Sequence, residues 1–247
     1  MSTRLVSVVI DSAAPSTLAR WWGRALDWAV SYENADETDV AAPAGEPGIE
    51  LVFVPVSDQK IGKNRLHLDL RTESGGEQAA LVSRLVDSGA RRIDIGQRPD
   101  SPWVTLADPE GNEFCVLEPR PIYADSGAIA AIVLDCTDPA ALAPFWIAAS
   151  GWSVRLEDSS GIALQAPAGD GPLLELLAST DQKQAKDRWH LDVAPYAGGD
   201  PKADQEAERR RLTDLGARLV DIGQAANATW IVLSDPDDHE FCILSAR

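Results

Sequence analysis

Two near-identical hexapeptides contain two of the three histidines in the chain. Residues 65–70 read RLHLDL and residues 188–193 read RWHLDV, so an aspartate follows each histidine by two positions. Histidine changes its charge near neutral pH and is a common metal ligand, and a neighbouring carboxylate can orient its ring. His67 and His190 are therefore candidates for proton transfer or metal binding, with Asp69 and Asp192 as partners of the imidazole or of a ligand.

Other residue types that can bind ligands or take part in catalysis recur at matching places in the two halves of the chain. They are Glu50 and Glu175 in IELVFV and LELLAS, Trp103 and Trp230 at the start of WVTLADPEGNEFCVL and WIVLSDPDDHEFCIL, and Cys115 and Cys242 near the ends of those segments. A carboxylate, an imidazole and a thiolate that converge would make a three-ligand zinc site with one open position for water or substrate. The alternative is that no metal binds and that the cysteine fills apolar space.

The matches run through the whole length and predict two homologous domains. SGARRIDIGQ (88–97) matches LGARLVDIGQ (215–224), and LARWWGRALDW (18–28) matches LAPFWIAASGW (142–152). Internal repetition of this kind indicates that one structural unit occurs twice. We expect one domain over residues 1–120 and a second over 128–247, joined by the proline- and glycine-containing segment PRPIYADSG.

Each predicted domain contains two β-α-β-β-β units, so that the whole chain has four. Apolar residues at helical spacing predict helices over 14–26, 77–89, 138–149 and 206–216. Segments rich in β-branched and apolar residues surround them, and turn-forming Asp-Pro dipeptides precede the last strand of each domain. The predicted fold class is α+β, with curved mixed β-sheets in two tandem domains.

Strand alternation predicts which face the polar groups occupy. Successive side chains of a strand point to opposite faces, so the leucines of RLHLDL lie opposite His67 and Asp69. If the leucine face packs under the helices, the histidine face lines a cup with mostly apolar walls, which suits a small organic molecule. Trp103 and Trp230 could stack on a flat ligand there. A salt bridge with Arg65 or Arg71 is the structural alternative for Asp69.

Further residues are predicted to be structural. Trp22 and Trp146 lie on the apolar faces of helices and are expected to pack against the sheets. Asp108 and Asp235 begin the Asp-Pro turns and are interpreted as turn formers. His239 lies in the second of these turns and is expected to be solvated.

Composition narrows the class of protein. The 247 residues are 45% apolar and 25% charged, which is typical of globular proteins. The formal charge of −17 would repel a polyanion, so nucleic acid is not expected as a partner. No apolar run reaches the length of a membrane span, and therefore no membrane insertion is expected. The three cysteines cannot all pair with one another, and reduced thiols in a cytoplasmic protein are the simplest interpretation.

The paired units, the IELVFV and LHLDL strands and the closing DPEGNEFCVL together resemble the vicinal oxygen chelate superfamily. This superfamily includes glyoxalase I, extradiol dioxygenases and bleomycin-resistance proteins, and the chain is most similar to its glyoxalase-like domains. The resemblance covers nearly the whole chain. It implies two domains that pair within the chain in imitation of a homodimer, in a protein that is itself a monomer or a homodimer.

The resemblance also implies a set of metal-ligand positions. In metal-dependent members four strands supply one ligand each, and the metal is a divalent ion such as zinc, nickel, iron or manganese. The corresponding positions here are Val6 or Ala130, Glu50 or Glu175, His67 or His190, and Cys115 or Cys242. The first of these cannot bind a metal, which argues against glyoxalase I activity itself.

Two functions of different class follow from the resemblance. In the first, the protein is an enzyme of lyase or isomerase type, in which a histidine and a glutamate (His67 with Glu50, or His190 with Glu175) move a proton on a small organic metabolite. In the second, the protein sequesters a drug or secondary metabolite without converting it. Neither the ligand nor the pathway is named by the sequence.

Overall fold

A computed structural model describes residues 3–225 and 227–246 of the chain, and in them strands and helices form four consecutive β-α-β-β-β modules. Module 1 contains β1 (Thr3–Ser12), α1 (Pro15–Leu26), β2 (Ala29–Glu33), β3 (Thr38–Ala41) and β4 (Glu50–Pro55). Module 2 contains β5 (Leu66–Leu70), α2 (Gly75–Asp87), β6 (Arg91–Arg92), β7 (Val104–Ala107) and β8 (Glu113–Val116). Module 3 contains β9 (Ile129–Cys136), α3 (Pro139–Ser150), β10 (Ser153–Glu157), β11 (Gly161–Gln165) and β12 (Leu173–Ala178). Module 4 contains β13 (Trp189–Pro195), α4 (Pro201–Asp214), β14 (Arg218–Leu219), β15 (Ile231–Ser234) and β16 (Glu240–Ile243).

The modules combine crosswise into two mixed sheets of eight strands. Sheet 1 joins modules 1 and 4 in the order β14-β15-β16-β13-β1-β4-β3-β2. Sheet 2 joins modules 2 and 3 in the order β10-β11-β12-β9-β5-β8-β7-β6. The antiparallel pairs β1–β13 and β5–β9 hold each sheet together at its centre. Each half of the sequence therefore contributes one module to each sheet.

Helix α4 begins earlier than its apolar pattern predicts. The side chain of Asp200 accepts hydrogen bonds from the backbone N–H groups of Lys202 and Ala203, and Pro201 occupies the first turn. An aspartate cap followed by proline is a strong helix start, because both satisfy or remove donors that the first turn leaves free. The predicted start at residue 206 missed this signal, whereas the other three helices begin within two residues of prediction.

The helices cover one face of each sheet and share one apolar core. Leu66, Leu68 and Leu70 of β5 are buried in that core, as the strand alternation predicts. Trp22 of α1 and Trp146 of α3 are almost completely buried in it as well, which confirms their predicted packing role. The opposite face of each sheet is free of the four helices named above and contains the polar residues described below.

Each of these two tryptophans is tied to an Asp-Pro turn. The indole N–H of Trp22 donates to Asp108 at 3.2 Å, and that of Trp146 donates to Asp235 at 2.9 Å. Asp108 and Asp235 also accept backbone N–H groups within their own turns. The repeated tryptophan and the repeated turn are thus parts of one anchor, in which a helix of one sheet is fixed to a turn of the other.

The prediction that His239 is solvated is wrong. Its side chain is buried, and its Nδ1 lies 3.1 Å from Asp235 Oδ2 while its Nε2 lies 2.9 Å from the carbonyl oxygen of Asp135. A hydrophilic turn does not imply an exposed side chain when the turn packs against the neighbouring sheet.

The observed fold class is α+β with mixed sheets, as predicted, and both sheets are open. None of the helices in residues 3–225 and 227–246 is long and apolar enough to span a membrane.

Candidate functional site

A cavity of about 750 Å³ lies on the helix-free face of sheet 2. Its walls are largely apolar and include Trp103, Leu117, Ile162 and Leu177, and none of the described residues that line it belongs to sheet 1. This volume is typical of clefts that take a small organic ligand. Strands of module 2 supply one side of the cavity and strands of module 3 supply the other.

Three chemically active side chains meet on the sheet side of this cavity. One ligand atom from each of His67, Asp69 and Cys115 lies within 4.8 Å of the other two. Asp69 and Cys115 are paired across the parallel strands β5 and β8, and His67 lies on the same face of β5. His67 Nε2 and Asp69 Oδ1 are 3.5 Å apart, which is too long for a good hydrogen bond. Among the described residues, His67 Nδ1 and Asp69 Oδ1 are buried without a hydrogen-bond partner.

Burial favours the uncharged form of all three groups. It lowers the pKa of His67 below its usual value, and it raises the pKa of Asp69 to about 7, with a further contribution from the charge of Glu175. Burial, and next the charge of Asp69, also raises the pKa of the Cys115 thiol. The cluster is therefore poised to hold or release a proton or to accept a cation.

The segment between the two halves forms one wall of the cavity. Residues Pro121–Tyr123 make a short 3₁₀ turn, and the hydroxyl of Tyr123 donates a hydrogen bond to Glu175 Oε1 at 2.7 Å. Burial raises the pKa of Glu175 above its usual value, although Tyr123 and Arg120 partly oppose this effect. Sequence reasoning treated this segment only as a linker, and the PRPIY sequence contains no repeat that could have identified it.

The structure brings a predicted glutamate of the second half of the chain into the same cavity as the predicted histidine of the first half. Glu175, which belongs to the second half, shares the cavity with His67 and Cys115 of the first half. Glu50 lies on sheet 1, where the Ser31 hydroxyl donates to its Oε1 at 3.4 Å. This grouping follows from the strand order of the two sheets, because modules 1 and 2 belong to different sheets whereas modules 2 and 3 share one.

Sheet 1 contains a second, more enclosed cluster. Ligand atoms of His190, Asp192 and Cys242 lie within 4.8 Å of one another, and all three side chains are buried. The Ser7 hydroxyl donates to Asp192 Oδ2 at 3.2 Å. Burial, reinforced by the charge of Lys186, lowers the pKa of His190 to about 4.

The two tryptophans proposed for ligand stacking differ in position. Trp103 lines the sheet 2 cavity, whereas Trp230 is 42% exposed and lies outside that cavity. The structural alternative for Asp69 is wrong, because Arg65 pairs with Asp237 and Arg71 pairs with Glu73. Asp69 therefore pairs with neither arginine, and it lines the cavity together with His67 and Cys115.

The donor set of the sheet 2 cluster fits a divalent metal of the zinc type. Imidazole nitrogen, thiolate sulfur and carboxylate oxygen are the three kinds of zinc ligand, and the buried Asp69 Oδ1 has no competing partner among the described residues. On the central strand β9, Val133 and Ala131 stand opposite His67 and Asp69, and neither side chain has a ligand atom. Ala130 falls at the irregularity in this pairing.

Comparison with known proteins agrees with this architecture. The family model of the glyoxalase-like domain matches residues 7–117 and 131–244. Glyoxalase I from Zea mays superposes with a TM-score of 0.65 at 14% identity, over 99% of this chain and 92% of that chain. A putative dioxygenase from Bacillus subtilis superposes with a TM-score of 0.63 at 12% identity, over 98% of this chain and 84% of that chain. At these identities the likeness shows the fold alone.

No curated protein sequence matches the chain significantly. The family model nevertheless covers most of both halves of the chain. The chain therefore belongs to the glyoxalase-like domain family, of which it contains two tandem copies.

Proposed function

We propose that the sheet 2 cavity binds a small organic molecule and that His67 and Asp69 move a proton on it, in a reaction of lyase or isomerase type. The observation that supports this most strongly is the pair of buried atoms, His67 Nδ1 and Asp69 Oδ1, that have no partner among the described residues and border a ligand-sized cavity. Buried polar groups are normally hydrogen-bonded, so unpartnered ones indicate that a ligand completes the site.

The surroundings suit proton transfer. Burial keeps the His67 imidazole neutral near pH 7, because it lowers the pKa of that group, and the neutral ring is the form that accepts a proton. Asp69, whose pKa burial raises to about 7, can return the proton, and the cavity walls around the two groups are largely apolar. In an isomerisation the proton removed from one ligand atom returns to another, and in a lyase reaction it leaves with the departing group. Glu175 is positioned by Tyr123 to contact the ligand from the opposite side.

Metal binding by this cluster is an alternative to proton transfer by His67 and Asp69, because a side-chain atom that binds a metal through its lone pair cannot accept a proton there at the same time. His67, Asp69 and Cys115 would hold a divalent metal, and it would polarise an oxygen of the ligand as a Lewis acid.

Solvent hydrogen exchange tests this function before the natural substrate is identified. The purified protein is incubated in D₂O with a panel of carbonyl, enol and aromatic metabolites, and the loss of carbon-bound protons is followed by NMR. We expect exchange with at least one member of the panel, and we expect His67→Gln to reduce it by about 100-fold or more. His190→Gln is the matched control, since it changes the equivalent histidine on sheet 1. Exchange that survives His67→Gln, or that is lost equally in His190→Gln, would overturn the proposal.

The second candidate function is sequestration of a drug or secondary metabolite. The mainly apolar cavity lining and the apolar residues opposite the cluster on β9 favour it. It requires that a ligand quench tryptophan fluorescence and be recovered unchanged, with no exchange of its protons and with similar affinity in His67→Gln.

A further inference from the structure

We propose that the ligand of the sheet 2 cavity is an organic cation, namely an amine or quaternary ammonium group on an apolar frame; this rests on the ligand-binding function proposed above. The basis is the charge balance of the cavity together with its aromatic walls. Among the described residues, four carboxylates and two basic side chains line the cavity, which gives a formal charge of −2 when Asp69 is ionised and −1 when it is protonated, with histidine neutral.

Both basic groups already form ion pairs with carboxylates. Lys63 Nζ lies 2.5 Å from Asp135 Oδ2 and 2.8 Å from Asp181 Oδ2. Arg120 Nε donates to Glu118 Oε1 at 2.6 Å. A carboxylate or phosphate ligand would therefore have to compete with existing ion pairs, and it would meet the remaining negative charge of the cavity.

The remaining carboxylates line the cavity from different sides. Asp69 lies at the base of the cavity, is 7% exposed, and has a buried oxygen without a partner among the described residues. Glu175 stands on β12, and Asp158 lies in the exposed turn before β11, on the same side as Glu175. Besides the larger effect of burial, the charge of Asp158 raises the pKa of Glu175, so the two groups repel one another. A ligand cation between them would relieve this repulsion.

The walls supply the second part of the recognition. The side chains of Trp103 and Tyr123 line the same cavity, together with aliphatic residues such as Ile122 and Leu177. Aromatic faces attract ammonium groups, and the attraction increases when water is excluded. The aliphatic residues would cover the apolar frame of the ligand, and the volume admits a molecule of drug size.

Three probes that share a benzyl frame test the charge preference: benzyltrimethylammonium, benzyl alcohol and phenylacetate. Binding to the full chain is measured by isothermal titration calorimetry at pH 7 and low salt. We expect the cation to bind at least tenfold more tightly than either of the others. Asp158→Asn and the double variant Asp158→Asn/Glu175→Gln should reduce this preference, the double variant to less than twofold. Glu50→Gln, at the equivalent position of sheet 1, should leave it unchanged.

The outcomes separate this inference from the proposed function. Benzyl alcohol or phenylacetate binding as tightly as the cation would overturn the inference, while proton exchange that depends on His67 would leave the proposed function standing. Absence of binding by all three probes at millimolar concentration also counts against the inference. Because Asp158 is exposed and an asparagine oxygen can still accept from Ser160, we expect its variant to keep the fold even if Glu175→Gln disturbs the contact with Tyr123. An equal loss of preference in Glu50→Gln would attribute the effect to net charge and would likewise overturn the inference.

Discussion

The two matching hexapeptides, RLHLDL and RWHLDV, have different surroundings in the two halves of the chain. His67 borders an open cavity, whereas His190 lies in a more enclosed cluster where the Ser7 hydroxyl donates to Asp192. The position of Ser7 is occupied on sheet 2 by Ala131, because both residues stand opposite the aspartate of the hexapeptide. Near-identical local sequences therefore have different neighbours, because one cluster borders a cavity of ligand size and the other is contacted by the Ser7 hydroxyl.

The ligand types in the sheet 2 cluster lead to a prediction about metal binding. If the sheet 2 cluster binds a divalent ion, cobalt substituted into it will show thiolate-to-metal charge-transfer absorption in the near ultraviolet. Cys115→Ser should remove the part of this absorption that comes from sheet 2, and Asp69→Asn should weaken the affinity by at least about tenfold. Cys136→Ser is the control, because Cys136 is also buried but belongs to neither cluster. A spectrum that is unchanged in Cys115→Ser would show that the thiol is not a ligand.

We predict that the protonation of His239 makes the free energy of unfolding depend on pH. Burial alone would lower its pKa, but the Asp235 carboxylate outweighs burial, so the pKa is raised above the usual value of 6.5. The folded state thus holds this proton more tightly than the unfolded state, and the stabilisation is complete below pH 6.5 and is lost as the pH rises through the folded pKa. We expect the free energy of unfolding of the wild type, relative to His239→Asn, to be constant below about pH 6.5 and to fall as the pH rises above it.

Denaturant unfolding of both proteins across this pH range provides the measurement. Asparagine is the suitable replacement because Asn112 occupies the same turn position in the first half and donates to Asp108. Parallel curves for the wild type and the variant would contradict the assignment of this titration to His239.

At the scale of elements, the tryptophan–aspartate anchors fix helices to turns of the opposite sheet. Trp22 is fully buried, and its ring lies 5.1 Å from that of Phe114 on sheet 2 and 5.8 Å from that of Trp189 on sheet 1. The anchor thus lies where the two sheets meet through the helix layer. The same contact between a helix and a turn occurs a second time between Trp146 and Asp235.

Trp189 offers a matched comparison for the energy of the anchor. Its indole N–H is buried and has no hydrogen-bond partner in the described part of the chain. Phenylalanine at position 22 or 146 loses both packing and a hydrogen bond, whereas at 189 it loses packing only. We expect Trp22→Phe and Trp146→Phe to lower the free energy of unfolding by about 1 kcal/mol more than Trp189→Phe. Equal losses in denaturant unfolding would show that the hydrogen bonds add nothing to packing.

At the scale of the whole molecule, the crossed modules make the two halves dependent on one another. The central pairs β1–β13 and β5–β9 both join the first half to the second. A separated half would leave β1 and β5, or β9 and β13, as open edges, and open edges pair with other chains.

We therefore predict that fragments 1–124 and 125–247 do not remain monomeric when expressed alone. Each should form homodimers or aggregates, and co-expression should give a 1:1 complex with the mass of the intact protein. Size-exclusion chromatography with light scattering distinguishes these states. A fragment that stays monomeric with native-like circular dichroism would contradict the dependence of the halves on one another.

Much of this architecture follows from the sequence itself. Repetition of whole segments predicts four similar modules, since similar segments fold by the same local rules. Strand alternation assigns Leu68 and His67 to opposite faces of the sheet, because the direction of a side chain is a local property of the strand. The approach of His67, Asp69 and Cys115 follows in part from the same rule, applied to strands of a single module.

What only the tertiary structure decided is which modules share a sheet and what closes the cavity. Three features depend on contacts between segments more than 50 residues apart. Glu175 rather than Glu50 shares the cavity with His67, Tyr123 of the linker donates to that glutamate, and His239 is buried against the other sheet. Such contacts depend on how the surfaces of finished modules pair, and local propensity and periodicity contain no information about that pairing.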